Sequence, residues 1–133
     1  MSTQLGVTPE RSGWRDARIS ARHRTWGPGL GLVDIDCLWV EYDSRAGSPI
    51  RAVGLVEYKH ERAAHGPLNC ANNRAVLDLA HRACLPLFVV TYSDDLTRFR
   101  VVPYGPEALQ WITEPVNMTE EEYTNLLCSL RQQ

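Results

Sequence analysis

An α/β domain is the fold class this sequence predicts, and three observations predict it. Two apolar runs rich in β-branched and aromatic residues, at 33–43 and 50–60, flank the Ser/Gly/Pro segment SRAGSP; this is the pattern of two antiparallel strands joined by a short loop. Leu68, Ala71, Ala75, Val76, Leu79, Ala80 and Ala83 then recur at helical spacing, which places a helix at about 69–83. That helix leads directly into Leu85–Tyr92, a run apolar enough to be covered on both faces, with Pro86 at its entrance; such a sequence reads as a crossover packed on the sheet.

The register of the first two strands decides what meets what. With the turn centred between Ala46 and Gly47, opposed residues sum to about 93, so Asp36 faces Glu57 and Asp34 faces Lys59. Side chains alternate between faces. Asp34, Asp36, Glu57 and Lys59 therefore share one face at one end of the hairpin, with Leu38, Val40, Val53 and Leu55 further along it. Val33, Ile35, Cys37, Trp39, Val56 and Tyr58 take the other face. Both faces are apolar, so the hairpin is expected to be central and covered on both sides.

Three carboxylates and one ammonium at the end of such a hairpin repel or lose hydration without a purpose. A divalent cation resolves the conflict: carboxylate oxygens suit Mg²⁺ or Mn²⁺, whose charge cancels theirs. A lysine beside the ion can orient a water or stabilise a developing oxyanion. The plainer alternative makes Glu57–Lys59 a cross-strand ion pair on a solvated edge. Three features favour the metal site: the aspartates and the E-x-K are in register across the hairpin, the E-x-K closes an apolar strand, and Lys59 is the single lysine among 14 basic side chains.

On Asp36, the strand after it, and Glu57-Tyr58-Lys59 at the end of the next strand, the sequence resembles the PD-(D/E)XK nuclease superfamily. The resemblance covers about 12–104 and extends to the helix and the strand Leu87–Tyr92 that follow. The segments RHRTWG, DID and VEYKH also look like small phage- or prophage-encoded members. The resemblance implies a restriction-endonuclease-like αβββαβ core with a central mixed sheet, here followed by C-terminal helices. It implies that Asp36, Glu57 and the Tyr58 backbone carbonyl hold Mg²⁺ or Mn²⁺, and that Lys59 serves the attacking water. The family's Pro-Asp is absent, and Asp34-Ile35-Asp36 leaves open which aspartate corresponds. Asp36 is favoured because it faces Glu57, with Asp34 a further candidate ligand. The helix after E-x-K often supplies a polar or basic residue in that family, and Asn73 or Arg74 is the candidate here; an N-cap amide and an exposed Arg explain the two nearly as well.

Composition bounds the reading. Hydrophobic residues at 44% and charged residues at 23% are ordinary for a globular chain, and 133 residues suit one domain. No run of 18 apolar residues offers a membrane span, and the N-terminus lacks a secretory pattern. Cys37, Cys70, Cys84 and Cys128 are too scattered for zinc or a disulfide framework, which fits a reducing cytoplasm; Cys37 and Cys84 lie in apolar contexts. Net charge is −2. Residues 1–32 nevertheless carry five Arg against two acids, and residues 114–133 four Glu against one Arg. A local basic patch can bind phosphate on an acidic chain.

The other elements follow in order. Residues 1–11 are expected to be flexible and 12–133 to form one domain. Residues 12–24 read as a short helix, and Arg22, His23, Arg24 and Trp26 as a nucleic-acid contact, or else as a basic helix end beside a packed Trp. Gly29–Leu32 either begins the next strand or forms one of its own. His81 and Arg82 suit a helix C-terminus. Asp94-Asp95 reads as turn chemistry before a second metal site. Phe99–Pro103 is the last expected strand. Pro106 opens a short helix anchored by Trp111 and Ile112. Thr119–Glu122 is a capping box, with Met118 and Tyr123 as its staple. The stripe Tyr123, Leu126, Leu127 and Leu130 docks on its own core or on a second protomer.

The expected function is a cytoplasmic (host-cytoplasmic, if phage-encoded) Mg²⁺- or Mn²⁺-dependent endonuclease acting on nucleic acid, DNA by the resemblance and branched or structured DNA among the substrates left open. A homodimer, or a protein partner that supplies specificity, would enlarge its small binding surface. The rival is a catalytically silent protein of the same fold that binds a protein or nucleic-acid partner, such as a phage-encoded regulator.

Overall fold

The computed structural model describes residues 7–10, 13–23, 25, 29, 33–42, 50–63 and 66–131. They fall into two compact units, 1–33 and 34–133. The boundary between them falls at Val33/Asp34.

In the first unit β1 (Val7–Glu10) pairs antiparallel with β2 (Gly13–Asp16), and α1 (Ala17–His23) follows. Residues 7–10 are paired as a strand, and the helix starts at Ala17, five residues later than expected from 12. The reason is local. Glu10 pairs with Gly13, so only two residues connect the strands, and Val7, Thr8 and Trp14 favour extended backbone. Arg22 is exposed on α1. The side chain of His23, and Arg24, Trp26 and residues 30–32, lie outside what is described, as does the hairpin loop at 43–49.

The second unit is a mixed α/β sheet of five strands in the order β3-β4-β5-β6-β7. Its elements are β3 (Cys37–Tyr42), β4 (Ile50–His60), α2 (Ala71–Ala83), β5 (Leu87–Tyr92), β6 (Phe99–Pro103), α3 (Pro106–Leu109), β7 (Val116–Met118) and α4 (Glu120–Ser129). The β4–β5 pair is parallel, with α2 as its crossover, and the other pairs are antiparallel. The short β7 was not legible in sequence, because Val116-Asn117-Met118 offers only one period of alternation.

The expected register holds where it matters. Cys37 pairs with Val56, Leu38 with Leu55 and Trp39 with Gly54. A bulge between Trp39 and Val40 then shifts the pairing, so that Val40 meets Ala52. Val53 consequently joins Val56, Phe88, Val90, Val101, Tyr123 and Leu130 in one core, not Leu55 on the opposite face. Leu55 and Leu87 form the other core with Val76 and Ala80 of α2. The hairpin is not covered on both sides throughout. β3 is the sheet's edge, α2 packs on β4 and β5, and Leu38 stays 52% exposed.

The stripe on α4 docks on its own core: Tyr123 and Leu130 are buried, and Leu126 and Leu127 pack beside them. Gly54 lets this happen, since a Cβ there would lie 3.0 Å from Leu130 Cδ1. The capping box forms as expected, with Thr119 Oγ1 accepting from the Glu122 N–H and Glu122 Oε1 from the Thr119 N–H. Thr119→Ala should lower stability by about 1 kcal/mol in urea denaturation, because it strands one amide at the helix start. The turn at 93–97 is also local chemistry: Asp95 Oδ1 accepts from Ser93 Oγ, Thr97 N–H and Thr97 Oγ1, which hold its pKa down at about 2. Cys84 is exposed in a left-handed C-cap of α2, not in an apolar setting, and no disulfide joins the four cysteines.

Candidate metal and catalytic centre

The site forms where β4 outruns β3. Described pairing between the two strands begins at Cys37–Val56, whereas β4 continues to His60 alongside β5. Leu55 N–H donates to the Pro86 carbonyl, so the backbone groups of odd-numbered residues here face β5 and those of even-numbered residues face β3. Beyond Cys37 side chains continue the ladder. Asp36 N–H donates to Glu57 Oε2 at 3.0 Å, and Tyr58 N–H donates to Asp36 Oδ2 at 2.9 Å. Each acid thus holds the backbone of the opposite strand. The Tyr58 carbonyl, on the same residue as that N–H, is directed to the same edge as Asp36.

Glu57 is only 2% exposed. Its other oxygen, Oε1, accepts from Asn72 Nδ2 at 3.3 Å. Burial raises its pKa above the ordinary 4.5; the Asp36 N–H opposes that rise, the Asp36 carboxylate adds to it, and Lys59 and Asn72 oppose it further. Two acids close enough to repel, one of them desolvated, form a centre that gains from a positive charge. Lys59 is half-buried two residues along the same face, near enough to act electrostatically on Glu57.

The donor set fits a hard cation. An ionised carboxylate offers about four lone-pair positions, so Asp36 and Glu57 keep acceptor capacity after their backbone bonds. With the Tyr58 carbonyl they would offer a bound cation all-oxygen ligands of the kind Mg²⁺ and Mn²⁺ take. Among the described residues no three His, Cys, Asp or Glu side chains converge as a ligand group, so exposed Asp34 does not join Asp36 and Glu57 in one.

The helix contributes a different residue from those expected. Asn73 is 3% exposed and its Nδ2 donates to the Leu68 carbonyl, so it pins the chain entering α2 and is not available to a nucleic acid. Arg74 is exposed, with its Nε on the Asn69 carbonyl. The helix is capped at Cys70 with no side-chain hydrogen bond, so the N-cap amide is not found, whereas Arg74 is the exposed arginine of the plainer alternative. Asn72 is the residue that reaches Glu57. The signal was present in the helical phase. Asn73, Val76 and Ala80 make up the buried line at i, i+3 and i+7, and Asn72 sits about 100° to one side, next to β4.

The mouth of β4 therefore brings together Asp36, Glu57, Lys59 and Asn72, all within the second unit. No family model matches the chain, and neither a curated protein nor a solved structure is significantly similar to it.

Proposed function

We propose that this protein hydrolyses phosphodiester bonds in nucleic acid, DNA by its resemblance to the PD-(D/E)XK nucleases, with Mg²⁺ or Mn²⁺ held by Asp36, Glu57 and the Tyr58 carbonyl. The observation that carries the reading is the desolvated Glu57 carboxylate, locked against Asp36 with Lys59 beside it. When bound, the cation supplies charge neutralisation at the scissile phosphate. Asp36 and Glu57 fix its place, because each is tied to the backbone of the neighbouring strand. Asn72 is a positioning residue that sets the orientation of the Glu57 carboxylate. Lys59 donates hydrogen bonds that orient the attacking water and stabilise negative charge as it builds on the phosphoryl oxygens.

A second reading, the catalytically silent binder, is favoured by one observation. Both acids already accept backbone N–H groups, which on its own would make the pair a latch that ends the hairpin. Cleavage assays on supercoiled, single-stranded and branched DNA and on RNA in Mn²⁺ separate the two. The nuclease reading predicts products from the wild type and none from Asp36→Ala. Intact substrates throughout would leave the silent binder in front.

Cation affinity should depend on pH through Glu57. Its folded pKa is raised, so its contribution to stability is complete below the ordinary 4.5 and is lost as pH rises through the raised value. Cation binding runs the opposite way, because the ion competes with that proton. Mn²⁺ affinity should climb by up to about tenfold per pH unit in that window and then level off. Fluorimetric titration at several pH values measures this; a flat profile would remove Glu57 from the ligand set.

A further inference from the structure

The sheet register places a second polar group in line with the acidic pair. Lys59 lies opposite Thr91, Thr91 opposite Arg100, and Arg100 opposite Asn117. Directly paired residues share a face, so these four side chains lie in one row on the face that carries Glu57 and α2. None of the four makes a side-chain hydrogen bond or ion pair with a described residue, although the surrounding charges are engaged: Arg98 Nη2 is 3.2 Å from Glu61 Oε1, and His60 Nε2 is 3.1 Å from Asp94 Oδ1. Thr91, Arg100 and Asn117 also line a cavity of about 280 Å³, together with the Glu61–Arg98 pair, Tyr92 and Ser93. The cavity begins one strand beyond Lys59.

Resting on the nuclease reading for its direction, we infer that this cavity holds a backbone phosphate of the nucleic-acid strand, away from the scissile one. Arg100 supplies the charge, and Thr91 and Asn117 supply neutral hydrogen-bond donors. A guanidinium with no acid partner among the described residues, beside a hydroxyl and an amide, suits a phosphate, whereas Arg98 is already paired with Glu61. Two strand spacings separate the β4 and β6 positions, about 10 Å at roughly 4.8 Å each. That is on the order of three steps of a stacked strand at about 3.4 Å. The nucleic acid then runs across the strands, from the mouth of β4 towards β7, and its path is set by the sheet rather than by a loop.

The test is binding of a labelled single-stranded oligonucleotide by anisotropy across a salt series, using the full chain in a Lys59→Ala background so that a bound strand is not cut. Adding Arg100→Gln should weaken binding about tenfold, the loss of a charged hydrogen-bonded contact. It should also reduce the slope of log affinity against log salt by about 0.7, one phosphate on a single strand. Arg82→Gln should change affinity by less than about twofold, because Arg82 lies outside the cavity and its charge is paired with Asp78. Equal losses from both variants, no loss from Arg100→Gln, or no binding by the background protein would each overturn the inference. Cleavage by the wild type is scored separately. A wild type that cuts while Arg100→Gln binds normally leaves the nuclease reading standing and removes this site. A wild type that binds with the expected Arg100 effect but never cuts does the reverse.

Discussion

Glu57→Gln should abolish divalent-cation binding while leaving the protein as stable as the wild type or more so. The substitution keeps the shape and the oxygen that accepts the Asp36 N–H, but removes a charge that burial disfavours. Asn72 can present its own oxygen to the new amide, so no buried donor need be stranded. A residue kept for stability would behave in the opposite way. Thermal melts in chelator and in Mn²⁺ separate the outcomes. The wild type should gain stability from Mn²⁺ and the variant should not, and in chelator the variant should melt at the same temperature or a few degrees higher. Cleavage should fall at least about a thousandfold, since the cation's stabilisation of the transition state is lost. A variant that melts well below the wild type in chelator would make Glu57 a structural latch.

Lys59→Ala should lower the cleavage rate by about 10² to 10⁴ while cation binding and folding persist. Lys59 is half-buried, its side chain makes no hydrogen bond or ion pair with a described residue, and it stands beyond the packed core at Leu55 and Val56, so truncating it leaves no buried partner behind. Its electrostatic effect on Glu57 is to favour the ionised form, so its loss should shift the pH dependence of Mn²⁺ binding slightly upward. Single-turnover cleavage at saturating enzyme measures the chemical step directly. A variant that cuts at the wild-type rate would remove Lys59 from the mechanism. Restored activity in Lys59→Arg would show that charge alone suffices, in place of a compact ammonium aimed at one water.

Much of the second unit was legible because its signals are short-range. Strand alternation fixed the pairing of Cys37, Leu38 and Trp39 with Val56, Leu55 and Gly54, and with it the meeting of Asp36 and Glu57. The boundaries of β5 and β6 and the Thr119 capping box followed from apolar runs and a local motif. What escaped depends on tertiary geometry. The bulge that moves Val53 to the opposite core leaves no mark in a pattern apolar on both faces. The edge position of β3 depends on which strands α2 covers, which periodicity does not encode. The β1–β2 pair is too short for its alternation to stand out, and α1 was expected to begin earlier for the same reason. Within the site, the choice of Asn72 over Asn73 is a single step of helical phase, settled by which side chain lines up with Val76 and Ala80. The row from Lys59 to Asn117 needed the order of four strands, one of them invisible in the sequence.

Isothermal titration of Mn²⁺ into the metal-free protein tests the central claim most directly. One ion per chain in the wild type, lost in both Asp36→Ala and Glu57→Gln and retained in Lys59→Ala, is the result predicted for two acids that share a cation at the end of β4. A wild type that takes up no Mn²⁺, or that binds it equally well after Glu57→Gln, would contradict it.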